Sequence, residues 1–409
     1  MIDKLLSMVD EKKLIELLKN LIQIESHREV PEQEGKIADF ISNWLKDSNI
    51  KVEVREVTNG RSNVIGMIEG TGNSYSLMFN GHMDTVPIYK WDSNFGPFSA
   101  ELREGKIFGR GSSDMKGGLA AAMIAMETIQ KSNIKLKGNL VLTAAIGEEG
   151  SCSIGTKEIV RNGPRTDMAI VCEATNMNIS IAQKGSCRII ITTHGKSAHT
   201  GTPEQGINAI MKMVDVIQTL KKELFAHLGD RTHSLLGSPR LTVAVIEGGK
   251  RHDVVPDCCQ IQMSYRYLPG DTPEEMIKKI SEILEDLKSK DPELRFEVNE
   301  PIRYLPWKYE KAVFKSLPME ILEDHQIVQA LKNSIKSVTG DSPKVVGTPG
   351  WTDASILLND GNIDTVIYGP GSFEQAHSSG EYVEVEQVIH AAKIYLMTAL
   401  NICLTDKKG

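Results

Sequence analysis

SLMFNGHMDTVP, residues 76–87, is an apolar run that ends in a histidine, an aspartate two places on and a turn-forming proline. An apolar run bounded by turn signals is the pattern of a strand buried in an α/β sheet, so SLMFNGH (76–82) reads as a strand. KVEVREV (51–57), NVIGMIE (63–69), NLVLTAAI (139–146) and MAIVCE (168–173) also read as strands. Apolar residues recur at helical spacing over 10–23, 34–47 and 116–132, the last following the glycine-rich GRGSSDMKGG (109–118). Strand and helix in alternation predict an α/β domain.

Outward from that core the pattern changes near Cys187. CRIIITTH, a helix over 205–224, RLTVAVIEG, CQIQMSYRYL, a helix over 272–289 and LRFEVNE follow in turn. This β-α-β-β-α-β order is that of a ferredoxin-like sandwich, which buries one sheet face under two helices. Helix 325–338, the short strand VIYGPG and a last helix near 384–402 then resume the first pattern. The expected organisation is a catalytic domain in two parts, 1–185 and 306–409, with a smaller domain inserted over 186–305.

With 409 residues, 40% hydrophobic and 25% charged, the chain has the make-up of a globular protein of two domains. A net charge of −7 with no long basic run gives no reason to expect nucleic acid or an anionic membrane as partner. The N-terminal twenty residues break their apolar positions with charges, unlike a signal peptide, and no stretch is long enough to span a bilayer. The six cysteines are sparse and form no CxxC, so reduced core thiols and a cytoplasmic setting are expected.

The chemistry-bearing side chains gather at predicted strand ends. His82 and Asp84 occupy positions i and i+2, so they face the same way where side chains reach a ligand crevice. Asp114 lies among glycines before a helix, where it could simply be a cap. Glu148 and Glu149 follow NLVLTAAI, and Glu173 closes AIVCE. Adjacent carboxylates at buried strand ends repel unless a cation or a shared proton intervenes. His377 stands in YGPGSFEQAHSSGEY, after another apolar strand. Imidazole nitrogens and carboxylate oxygens suit zinc, with cobalt or manganese as substitutes. A pair of ions about 3.5–4 Å apart needs a shared ligand and private ones on each side, which this set can supply.

GHMDTVP, GRGSSDMKGG, GEEGS, CEATN, SAHTGTPEQGINA and GPGSFEQAH occur in this order over nearly the whole chain. In this the sequence resembles the dizinc amidohydrolases and exopeptidases that include acetylornithine deacetylase, succinyl-diaminopimelate desuccinylase, aminoacylase and glutamate carboxypeptidase. The resemblance implies two zinc ions per chain. His82 and Glu173 would ligate one, Glu149 and His377 the other, and Asp114 would bridge them. It makes Glu148 the general base and acid, and has Asp84 hydrogen-bond the far nitrogen of His82. In the inserted domain it implies that His199 reaches the oxyanion from a partner subunit and that Arg266 clamps a substrate carboxylate. Asp253 stands where the family usually has Asn, which casts doubt on the substrate contact there, since ionised Asp only accepts hydrogen bonds. Gly350 and Asp353 in TPGWTDA, and Gly371 in GPGSF, match family loops near the site.

The resulting expectation is a metal-dependent hydrolase that cleaves the amide of an N-acyl amino acid, acting as a homodimer through the inserted domain. The alternative is a zinc carboxypeptidase or dipeptidase acting on small peptides. A non-catalytic binding protein on the same fold is the remote one. A serine hydrolase would need G-x-S-x-G and a single-zinc protease H-E-x-x-H, and neither string occurs.

Overall fold

The computed structural model describes residues 2–72, 74–150, 153–299, 302–304, 311–313 and 316–407. Cys152 and the expected boundary at 305/306 lie outside them. The chain separates into two compact units. One comprises Met1–Ala182, Met319–Thr348 and Thr352–Gly409; the other comprises Gln183–Pro318 with Pro349–Trp351.

The first unit is built on a mixed sheet in the order Lys51–Thr58, Arg61–Ile68, Leu140–Ala145, Leu77–His82, Met168–Val171, Asp364–Ile367, Ile179–Gln183, Met319–Glu320. Val345–Thr348 pairs with Ile179–Gln183 off this path. The four strands from Leu140–Ala145 to Asp364–Ile367 are mutually parallel. Three of them, Leu140–Ala145, Leu77–His82 and Met168–Val171, are buried along their whole length, because helices cover both faces of a parallel sheet. Met78 packs on one face with Ile159, Ala354 and Leu357. On the other, Phe79 meets the ring of Tyr395, from the helix Val385–Cys403, at 5.1 Å.

Register decides what happens at the strand ends. His82 is level with Ala145, and Asn80 with Val171, so the carboxyl ends of neighbouring strands stop at one line. The helix Gly117–Ser132 approaches that line through Gly118: a Cβ there would lie 1.9 Å from the carbonyl oxygen of Cys172. Only glycine lets a helix start that close to a strand end.

The second unit is a four-stranded antiparallel sheet, ordered Arg240–Gly248, Cys258–Tyr267, Gly185–His194, Arg295–Asn299. Helices Ala209–Glu223 and Pro273–Lys290 cover one face. Period-two alternation sends Cys259, Ile261, Met263, Tyr265 and Tyr267 into that core beside Ile189, Ile191, Val216 and Ile280. Each helix opens on a side-chain cap, Asn208 accepting from Ile210 N–H and Thr272 from Glu275 N–H. The connectivity is ferredoxin-like, as its strand pattern predicts. Among the described residues no helix is long and apolar enough to cross a membrane, and no disulfide joins the described cysteines.

Candidate metal centre

The four parallel strands of the first unit deliver the acidic and imidazole groups to one edge. His82 ends its own strand; Glu148 and Glu149 follow Ala145; Glu173 follows Val171; His377 lies in the loop after Ile367. Asp114 comes from the short turn Ser112–Lys116 that precedes Gly117–Ser132. It is not the cap of that helix, whose N-cap residue is Lys116.

Asp114 stands between two groups of donors. Its Oδ1 lies 3.0 Å from Nε2 of His82, which in turn lies 3.3 Å from Glu173 Oε1. Its Oδ2 lies 3.4 Å from Nε2 of His377, which lies 2.9 Å from Glu149 Oε1. Each oxygen of one carboxylate thus faces a different His–Glu pair. Ligand atoms of His82, Asp114 and Glu149 all fall within 4.8 Å of one another.

The electrostatics agree with a site for cations. Burial pushes the carboxyls of Glu148, Glu149 and Glu173 above their ordinary range, and the carboxylate of Asp114 adds to this for Glu149 and Glu173. Burial would raise Asp114 as well, but hydrogen bonds from His377 and His82 hold it below the usual range. Hydrogen bonds to Asp114 and Glu149 lift His377 to about 10. Acidic groups this close coexist ionised only with positive charge among them, and the two nitrogens and surrounding oxygens are the donor set that divalent ions take.

Asp84 bonds the far nitrogen of His82, but through its main chain rather than its carboxylate. The Nδ1 atom of His82 hydrogen-bonds the main-chain carbonyl of Asp84 at 2.9 Å, while the nearest carboxylate oxygen is 3.7 Å away. A carbonyl only accepts, so Nδ1 carries a hydrogen, and Nε2 is the nitrogen that would face a metal in place of the proton it shares with Asp114. The carboxylate of Asp84 turns instead to the next loop. It accepts Glu148 N–H at 3.1 Å and Glu149 N–H at 2.9 Å.

Two carboxylates that sequence analysis does not single out complete the frame. Glu34 accepts Gly147 N–H at 3.1 Å and is paired with Arg61. Its position before the helix Gly35–Asp47 reads as an ordinary cap, yet it makes no side-chain cap bond. Glu381 accepts the N–H groups of Ser113 and Asp114, and pairs with Arg110. The one sequence signal was its place in the same glycine-rich string as His377. With Asn63 accepting Ile146 N–H at 3.1 Å, the four successive N–H groups of residues 146–149 all end on side-chain oxygens.

The remaining nominated residues divide between the units. Asp353 is buried and accepts the Thr156 hydroxyl at 2.6 Å. Gly371 has φ +89°, and its N–H donates to Gln387 at 2.8 Å. In the second unit His199 is exposed, its Nδ1 accepting Gly201 N–H at 2.9 Å. Arg266 sits half-buried on Cys258–Tyr267, and Gly350 is buried in Pro349–Trp351. The carboxylate of Asp253 is gripped by Arg251 in two bonds of 2.8 Å, a fork that a neutral Asn could not hold as strongly.

Comparison with known proteins gives the family. The model of Peptidase family M20/M25/M40 matches residues 78–401. The chain is 31% identical to the N-formyl-4-amino-5-aminomethyl-2-methylpyrimidine deformylase of Bacillus subtilis (strain 168), over 97% of this chain and 96% of that one. It is 28% identical to acetylornithine deacetylase of Proteus mirabilis (strain HI4320), over 96% and 97%. Among solved structures, aminopeptidase PepT from Bacillus cereus ATCC 10987 superposes with a TM-score of 0.77 at 21% identity, over 97% of this chain and 99% of that one. The chain is a hydrolase belonging to Peptidase family M20/M25/M40.

Proposed function

We propose that the protein removes a small acyl group from an amino nitrogen, with an N-acyl amino acid as substrate and two zinc ions as cofactor. Cobalt or manganese would substitute. The observation that carries the two-ion arrangement is Asp114, whose two oxygens face separate His–Glu pairs. His82 and Glu173 are the proposed private ligands of one ion, Glu149 and His377 those of the other, and Asp114 is the bridge.

Bound there, the ions would supply Lewis-acid polarisation of water and of the amide carbonyl. The chain's own groups do the rest. Glu148 takes the proton of the attacking water on its carboxylate and returns it to the leaving nitrogen. Its raised affinity for a proton, a result of burial, suits that exchange. Asp84 holds the main chain of Glu148 and Glu149, so base and ligand move together or not at all. Arg266 is the proposed partner of the substrate carboxylate, which a guanidinium can meet in two parallel bonds. Deacylation is favoured over peptide cleavage because two full-length relatives bear the names of a deformylase and a deacetylase.

The inserted segment, expected over 186–305, would act as lid and dimerisation domain, with His199 serving the partner's oxyanion. Exposed Val245 and Ile246 on the edge strand Arg240–Gly248 support a second copy of the chain as its partner. The sparse cysteines suit the cytoplasm. The experiment is a panel of formyl-, acetyl- and succinyl-amino acids beside dipeptides, assayed with zinc or cobalt. Turnover of an N-acyl amino acid is expected, and hydrolysis confined to dipeptides would overturn the deacylase assignment.

A further inference from the structure

Glu381 is fully buried, four positions after His377, and its carboxylate reaches the segment that carries Asp114. One oxygen accepts the main-chain N–H of Ser113 at 2.9 Å and of Asp114 at 3.0 Å. The other accepts Nη1 of Arg110 at 2.6 Å. The main-chain carbonyl of Glu381 accepts Gly109 N–H at 2.9 Å. A second clasp joins the same two segments. The Ser113 hydroxyl donates to the Ser372 carbonyl at 3.1 Å and accepts Ser372 N–H at 3.0 Å. Gly371 allows that approach, since a Cβ there would lie 2.3 Å from Ser113 Oγ.

A glutamate is an inefficient choice for merely holding this fold together. With side-chain exposures of 3% and 0%, Arg110 and Glu381 have lost their hydration, and such a pair adds little stability over apolar residues of equal size. Glu381 also places one anion behind another, Asp114. The same residue is an effective choice for fixing where the Asp114 main chain lies, because N–H bonds to a charged acceptor are short and strong. That position matters here. Asp114 must aim one oxygen at the His82 pair and the other at the His377 pair, and metal–ligand distances tolerate only about 0.2 Å.

We infer that Glu381, held by Arg110, is a positioning residue that registers the His377 loop on the Asp114 segment and so sets the two-sided presentation of Asp114. The inference rests on the proposal that two ions share Asp114. It reaches past the ligands to the group that aims them, and it takes the class of ligand to be a pair of divalent cations.

The test uses full-length protein stripped by a chelator and titrated with zinc against a chromophoric competitor. Wild type is compared with E381Q and with the double variant R110M/E381M. The double variant replaces the buried pair by apolar chains of similar length but leaves the Ser113 and Asp114 N–H groups without that acceptor, so its apo form is expected to fold and to melt a few degrees below wild type. In both variants affinity for at least one ion should fall about tenfold or more, the usual consequence of losing a group that orients a ligand. Folded variants that bind both ions within twofold of wild type would overturn the role of Glu381 and leave the two-ion site standing. Failure of both variants to fold as apo proteins would make the pair a fold-holding device and overturn it too. A wild type that binds fewer than two ions removes the shared-Asp114 arrangement and this inference with it.

Discussion

The carboxylate of Asp84 accepts the main-chain N–H of Glu149 at 2.9 Å while its other oxygen accepts that of Glu148 at 3.1 Å. Asp84 therefore orients two things at once, the His82 ring through its carbonyl and the glutamate loop through its side chain. Asp84→Asn keeps the carbonyl but replaces one acceptor oxygen with a donor NH₂ that faces an N–H. The expected result is a fall in kcat of about tenfold to a hundredfold, with KM changed far less. Steady-state kinetics beside metal analysis checks it. Loss confined to metal content, with kcat per loaded site unchanged, would contradict the loop-holding role.

Glu148 shares that loop but faces neither histidine within hydrogen-bond distance. Glu148→Ala should lower kcat by about a hundredfold to ten-thousandfold, the range for removal of a general base, and leave metal binding close to wild type. The measurement is kcat with parallel determination of zinc per chain. Near-normal turnover in the variant would remove Glu148 from the chemistry.

The division between what the sequence discloses and what it hides follows a physical line. The strands and the helices carrying the site are legible because burial on both faces, or on one stripe, imposes a periodicity. Leu77–His82 and Arg240–Gly248 lie within a residue of where that periodicity puts them. The residues brought together around Asp114 were legible because strand ends in a parallel sheet converge whatever the loops do. Glu34, Glu381 and the partner of Asp84 were not. Their bonds run to main-chain N–H groups, which every residue has, so no side-chain pattern marks the receiving end. The short helices Ile154–Asn162 and Ala354–Asn359 are too brief to show a period.

Away from the site, Glu127 is buried with Lys13 and Lys131 against it, the latter at 2.8 Å. Burial alone would raise its carboxyl, but hydrogen bonds from the two lysines outweigh that and hold it below the ordinary 4.5. A lowered folded-state pKa means the unfolded chain binds the proton more readily. Its contribution is therefore present above pH 4.5 and is lost as pH falls through the lowered value. Glu127→Gln should cost about 1–2 kcal/mol at pH 7. Urea melts of both proteins at pH 7 and pH 3.5 would show the gap narrowing in acid; a gap that is constant or wider there would contradict the assignment.

Ile246 is 54% exposed on an edge strand whose outer side pairs with no other strand among the described residues, and Val245 beside it is 38% exposed. Apolar residues on a free edge invite pairing with another chain, and a charge placed there opposes it. Ile246→Asp should therefore convert a species of twice the 45.2 kDa chain mass into the monomer, read by light scattering during size-exclusion chromatography. The strand keeps its pairing with Cys258–Tyr267, so the fold should survive and the melting temperature should shift little. If His199 serves the site of its partner, kcat should fall in step with dissociation, and His199→Ala should lower it in the dimer without changing the mass. A wild type that is monomeric and fully active at micromolar concentration would leave the edge strand without that function and His199 without a site to reach.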